Sequence, residues 1–291
     1  MAALIELIKV LRDRTGAGLM DCKAALLACN EDVEKASDWL REKGLAKAAK
    51  KASRIAAEGL ALTKTCQACG KTVIIEVNCE TDFVAKGDAF HELVDNIAGT
   101  ILKNNLKSVE KAKEATTELF ADATVKMGEK FDLRRFTVLE KEEGTVMASY
   151  IHMGGKIAVV VKLNGGSEEL AKQIAMHVAA NNPAYVSMKD VPAEAIEHER
   201  GIQVETAKQD PKLANKPVEV LNKILDGKIN KFFSEQCLLA QPFLMDDSKS
   251  VEQVLKEADA SVNTFVRYAV GEGIEKRVDD FASEVMKEVN K

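Results

Sequence analysis

The chain opens with apolar positions at helical spacing: Leu4, Leu7, Ile8 and Leu11 fall on one face of a first helix. The turn Arg14-Thr15-Gly16-Ala17-Gly18 ends that pattern. A second helical pattern follows over residues 19–29, with Leu19, Cys22, Leu26 and Cys29 spaced for burial, and Asn30 marks a cap before Val33, Ala36 and Leu40. Three short helices joined this tightly predict a compact module with one small core, residues 1–42. The next stretch, from Lys43 to Arg54, is rich in Ala and Lys and poor in large apolar residues. It favours helix but has little to bury, so residues 43–58 are predicted to be a solvated, semi-rigid basic helical linker.

From Leu60 the period changes. Strands are predicted at 60–65 and 72–78 around a turn at 66–71, then helices at 82–104 and 108–127, then a strand at 136–139. This β-β-α-α-β order recurs after Gly144: strands at 145–152 and 157–163 around Met153-Gly154-Gly155-Lys156, a helix at 167–180, a helix at 251–258 and a strand at 262–270. Two similar halves follow, 59–142 and 143–182 with 234–270, the second interrupted by an excursion. The fold class is α+β, with antiparallel sheets that each leave one face for water or a partner. Within the excursion, 183–233, helical patterns at 193–208 and 218–233 flank Gln209-Asp210-Pro211 and imply an antiparallel helical hairpin. Its broad stripe of Val218, Leu221, Leu225 and Phe232, with neighbouring Ile224 and Ile229, is covered by the other helix or by another subunit. In the tail, 271–291, Ile274, Val278, Phe281, Val285 and Val289 form a narrow helical stripe after two glycines. Spacing alone leaves open whether this C-terminal helix docks on the core or on a partner.

With 46% apolar and 30% charged residues in 291, the chain has the composition of a soluble globular protein. Its 46 acidic residues outnumber 41 basic ones, a net charge of −5, which argues against nucleic acid as the main partner. Aromatics make up only 5%, too few for interleaved base-stacking platforms. No run reaches the ~18 apolar residues of a spanning helix, and Glu6 and Lys9 interrupt any signal-peptide core, so no membrane is implied and the expected location is cytoplasmic.

The six cysteines are too few and scattered for a disulfide framework. Cys22 and Cys29 share one helical face and read as small buried hydrophobes. Cys66-Gln67-Ala68-Cys69 sits at a predicted hairpin tip and is half of a zinc site, which Cys79 and His91 would complete, or a redox dithiol. A second pair at ribbon spacing is missing, so the favoured reading is an incidental reduced pair, with no metal and no cofactor. His177 lies among apolar neighbours and reads as a core histidine, whereas His152, beside a glycine turn, is either solvated or a partner contact. No nucleophile pattern accompanies the four histidines, and no enzyme is indicated.

The stretch Asn78-Cys79-Glu80-Thr81-Asp82-Phe83-Val84-Ala85-Lys86 is where a β-rich run gives way to a helical pattern. Thr81 or Asp82 is placed to cap the new helix. Phe83 then falls in the first turn, either as a staple under the helix start or as a ring presented to another protein, and local spacing favours the staple.

The segment Arg14-Thr15-Gly16-Ala17-Gly18-Leu19-Met20-Asp21-Cys22-Lys23-Ala24-Ala25-Leu26 resembles the N-terminal signature of the elongation factor Ts family, bacterial guanine-nucleotide exchange factors for elongation factor Tu. The resemblance continues through residues 76–85, Ser149-Tyr150-Ile151-His152 and residues 174–180. It implies that residues 1–42 fold like a ubiquitin-associated domain and touch the partner's nucleotide-binding domain, with Leu19 and Met20 as contacts. It further implies that Thr81, Asp82, Phe83 and Val84 form the motif whose Phe enters between helices of elongation factor Tu, dislocating Mg²⁺ and the GDP phosphates. His152 would contact the partner's far domains, Ile274, Val278 and Phe281 would grip its nucleotide domain, and 183–233 would be a dimerisation-type region, with a homodimer left open. The Cys66/Cys69 pair departs from the family pattern. The alternative, a ribosome- or RNA-associated protein without exchange activity, explains only the basic linker.

Overall fold

A computed structural model describes residues 2–210 and 217–275, and the chain divides into two compact units. The first holds residues up to 140, 153–157 and those from 268; the second holds Lys141–His152 and Ala158–Arg267.

The first unit begins with α1 (Ala2–Thr15), α2 (Leu19–Ala28) and α3 (Val33–Lys51). They close over Leu11, Ala17, Cys22, Ala25, Leu26, Ala36 and Leu40, with Leu4, Leu7 and Ile8 packed at the edge. Asp32 caps α3, its carboxylate accepting from the Lys35 N–H at 3.1 Å. The expected basic linker is helical as far as Lys51, but it is no separate element: it continues α3 without a break. Gly44 explains this: it is buried, and a Cβ there would stand 2.7 Å from Val125 Cγ2 and 2.8 Å from the Ala121 carbonyl oxygen. A residue without a side chain lets α3 lie close against the later helix carrying Ala121 and Val125.

There follow β1 (Glu58–Cys66), β2 (Lys71–Cys79), α4 (Asp82–Ala85), α5 (Asp88–Lys103), α6 (Val109–Ala115), α7 (Thr117–Met127) and β3 (Asp132–Glu140). The strands form an antiparallel sheet in the order β1-β2-β3, with Leu60 opposite Val77 and Ile75 opposite Phe136. Phe90, Leu93, Val94, Ile97, Ala98 and Ile101 of α5 bury one amphipathic face against it. Both long helices expected here are broken. Gly87 ends the first, donating its N–H to Val84 at 3.0 Å and capping α5 from an extended conformation. Thr116 splits the second, its hydroxyl donating to the Ala112 carbonyl at 2.7 Å in competition with the helix backbone.

The second unit contains β4 (Thr145–His152), all but the first residue of β5 (Ile157–Asn164), α8 (Glu168–Asn181), α9 (Ala193–Gln209), α10 (Val218–Gln236), β6 (Pro242–Phe243), β7 (Asp246–Ser250), α11 (Val251–Glu257) and all but the last two residues of β8 (Ser261–Ala269). Its main sheet has the order β4-β5-β8, the same adjacency as β1-β2-β3, so the pattern-level repeat is present in three dimensions. α9 and α10 make the hairpin: Val204 and Ala207 share one apolar cluster with Leu221 and Leu225, Ala195 and Ile196 share another with Ile229 and Phe233, and Arg200 pairs with Asp226 at 2.7 Å. Leu221, Leu225 and Ile229 face α9, whereas Val218 and Phe232 from the expected stripe point outward. His177 is a core histidine, bonded through Nε2 to Gln241 Oε1 at 2.8 Å and accepting the Leu244 N–H on Nδ1 at 3.2 Å. The β6–β7 ribbon went unpredicted because strands of two and five residues carry no readable period.

Candidate partner interface at the strand-to-helix corner

β2 ends at Cys79 and α4 begins at Asp82, leaving Glu80 and Thr81 to turn the chain. Thr81 is the cap: its hydroxyl oxygen accepts the Val84 N–H at 3.4 Å from an extended backbone. Val84 and Ala85 take the inward positions and pack on the core beneath. Phe83, one step earlier, is 85% exposed. The staple reading fails because Val84 and Ala85 already fill the inward positions and leave the ring facing solvent.

The corner is held from outside by a residue the sequence did not suggest. Glu129, just after α7, accepts the N–H of Glu80 at 3.0 Å, the N–H of Thr81 at 3.1 Å and the Thr81 hydroxyl at 2.5 Å. Glu80 reciprocates, taking the Lys130 N–H at 2.7 Å and pairing with Arg54 at 3.2 Å. Lys130 Nζ donates to the Arg54 carbonyl at 2.7 Å. Donors that a chain turning out of a sheet leaves unpaired are thus met by charged acceptors, the stronger class of hydrogen bond. No sequence signal could have found Glu129, since it lies 48 residues from Thr81.

Beside the ring, Asp82 pairs with Lys86 at 2.6 Å, and that hydrogen bond holds its carboxyl below the usual carboxylate range. The corner therefore presents an apolar ring next to an ionised carboxylate. Behind it, the buried Cys79 thiol donates to the Thr81 carbonyl at 3.2 Å, and burial pushes it up to about 12.

A second ionic cluster sits midway along β2. Glu76 is fully buried and accepts from Arg134 Nη1 at 3.0 Å, Arg135 Nε at 2.6 Å and the Gly271 N–H at 2.8 Å. Arg135 also reaches the Ala269 carbonyl at 3.1 Å, and Arg134 donates to that of Glu272. Gly271, at φ +72°, has no room for a Cβ against the Ala57 carbonyl oxygen. Glu76 thereby ties the chain leading to Ile274 onto the β2–β3 sheet.

Thr81, Asp82, Phe83 and Val84 share the corner. Leu19 and Met20 open α2, 54% and 74% exposed. His152 closes β4, its Nδ1 3.0 Å from the Tyr150 hydroxyl, and Ile274 is half-buried; Val278 and Phe281 lie outside the described residues. Cys66 and Cys69 are free thiols, and among the described residues no group of three or more His, Cys, Asp or Glu is gathered to hold a metal ion. No helix among them is long and apolar enough to cross a membrane. The family model described as elongation factor TS matches residues 80–272, more than half of the chain, starting at the corner itself.

Proposed function

The chain belongs to the elongation factor Ts family, and we propose that it releases GDP from elongation factor Tu by pressing the corner at Thr81–Val84 into that protein. Members of the family are nucleotide exchange factors for elongation factor Tu, so the partner and the class of activity follow from membership. The mechanism is our reading, and it acts by binding alone.

GDP is retained by backbone N–H groups cradling its phosphates and by a Mg²⁺ ion that demands near-ideal geometry. Phe83 and Asp82 enter between helices of the partner and displace those groups. Burying an exposed Phe ring stabilises a complex by about 1.5–3 kcal/mol, and each 1.4 kcal/mol is tenfold in affinity, so one wedge is of the right size to weaken nucleotide binding by ~10–100-fold. That energy reaches the nucleotide only if the wedge does not itself yield. Glu129 and the Thr81 cap meet this condition by fixing the backbone before contact. Leu19, Met20, His152, Ile274, Val278 and Phe281 add further contacts, and the protein works in the cytoplasm on both GDP-bound and nucleotide-free partner.

The observation that carries this reading is a phenylalanine 85% exposed on a hydrogen-bonded backbone. Its test is the release of a fluorescent GDP analogue from elongation factor Tu of the same organism. Phe83→Ala should keep the fold and bind the partner, yet lose most of the acceleration. Release as fast as with the parent chain would remove the wedge and leave family membership standing.

A further inference from the structure

The β1–β2 hairpin tip carries chemistry that nucleotide exchange leaves unused. Cys66 closes β1 opposite Lys71, and Gln67, Ala68, Cys69 and Gly70 make the turn, with Gly70 at φ +63°. Cys69 is exposed and Cys66 half-buried. The Cys69 thiol donates to the Cys66 carbonyl oxygen at 3.8 Å, which folds it back over the residue that closes β1. Lys71 is fixed beside them through Asn105 Oδ1 at 2.9 Å and Glu140 at 3.1 Å.

Three of the other four thiols differ; the fourth, Cys29, is half-buried at the end of α2. Cys22, Cys79 and Cys237 are buried, and burial pushes all three up, which makes them poor nucleophiles. At the tip the Cys69 thiol, then the Cys69 and Ala68 backbone N–H groups and the Lys71 charge, hold Cys66 below the ordinary thiol range, while Cys69 is raised. One member of the pair is thus set to attack and the other to follow. Zinc fits less well: two thiolates leave it two ligands short, and no third ligand is gathered there among the described residues.

We propose that Cys66 and Cys69 form a reversible dithiol–disulfide site that exchanges with an external disulfide of the glutathione class. The Cys66 thiolate attacks one sulfur of the external disulfide, whose S–S bond breaks and releases one thiolate; this takes up the proton lost from Cys66. The Cys69 thiolate then attacks the Cys66 sulfur of the mixed disulfide, expelling the second thiolate, which takes up the Cys69 proton. The protein loses two electrons and two protons, and the external disulfide becomes two thiols. The ring spans only Cys66 to Cys69, so little chain entropy holds it closed and an external dithiol reopens it. The tip and the Phe83 corner lie at opposite ends of β2, about 26 Å apart at 3.3 Å per residue, so this chemistry is separate from exchange.

The test equilibrates the full chain, reduced and metal-free, with anaerobic mixtures of glutathione and glutathione disulfide, then traps thiols with maleimide and maps them by peptide mass spectrometry. The peptide containing Cys66 and Cys69 should lose two hydrogens reversibly. Cys66 should alkylate at least about ten-fold faster than Cys22, Cys79 and Cys237. Cys69→Ser should trap Cys66 as a single glutathione adduct, and Cys66→Ser should slow adduct formation at Cys69 by about ten-fold. A pair that stays reduced in excess glutathione disulfide overturns the proposal. So does oxidation that only joins two chains, or stoichiometric zinc on protein purified without added metal and lost in the double Cys→Ser variant.

Discussion

Glu129 offers three acceptor contacts to a turn of two residues, and its removal separates the corner's geometry from its chemistry. Glu129→Ala should lower stability by about 1–2 kcal/mol, as expected for charged hydrogen bonds near the surface, and should slow GDP release although Phe83 is untouched. Thermal denaturation and the nucleotide-release assay read the two effects; unchanged release would mean that the wedge needs no clamp. Cys79 carries a pH signature. Its folded thiol titrates at about 12 against an ordinary 9.0, so above pH 9 the unfolded chain loses a proton that the folded one keeps. Stability should fall by about 1.4 kcal/mol per pH unit between those values, and urea midpoints of Cys79→Ala should lack that component. Phe83 itself was not legible from spacing. A staple and a presented ring occupy the same helical position, and only the inward placement of Val84 and Ala85 separates them.

Among the elements, α3 joins into one helix what the pattern divided between a module and a helical linker. Nine further residues with little apolar content remain helical because Gly44 lets the helix rest on α7. Gly44→Val should destabilise by about 2 kcal/mol or more through overpacking, despite valine's better helix propensity. A melting temperature equal to the parent's would show that α3 and α7 part easily. In the second unit, His177 ties α8 to the segment entering β7 through Gln241 and Leu244. Burial lowers its basicity, so as the pH falls below about 6.5 the unfolded chain takes up a proton first and stability declines. Urea midpoints measured from pH 7 to 5 should drop for the parent and drop less for His177→Gln. Strands β1, β2, β4, β5 and β8 were readable nearly to their ends, whereas β3 begins four residues before the expected 136; the breaks at Gly87 and Thr116 were hidden because each interrupts an apolar pattern that itself continues in helical period.

At the scale of the whole molecule, two units repeat one strand adjacency, and exchange couples two ligands on a single partner. Linkage requires that GDP weaken the complex with elongation factor Tu by the same factor as the complex weakens GDP. Titrating the factor into nucleotide-free and GDP-saturated partner should give two affinities whose ratio equals the ratio of GDP affinities with and without the factor; unequal ratios would exclude a closed two-ligand cycle. The amino-acid sequence by itself determined the order of the main strands, the repeat, the three-helix start and the motif at the corner. These depend on periodicity and capping, which act over a few residues. Tertiary structure decided that Phe83 points outward, that Glu129 and Arg54 clamp its corner, and that Glu76 anchors the chain at Gly271 across 195 residues. Such pairings join positions whose separation along the chain carries no period, and burial of a charge is settled only when its partners have come together.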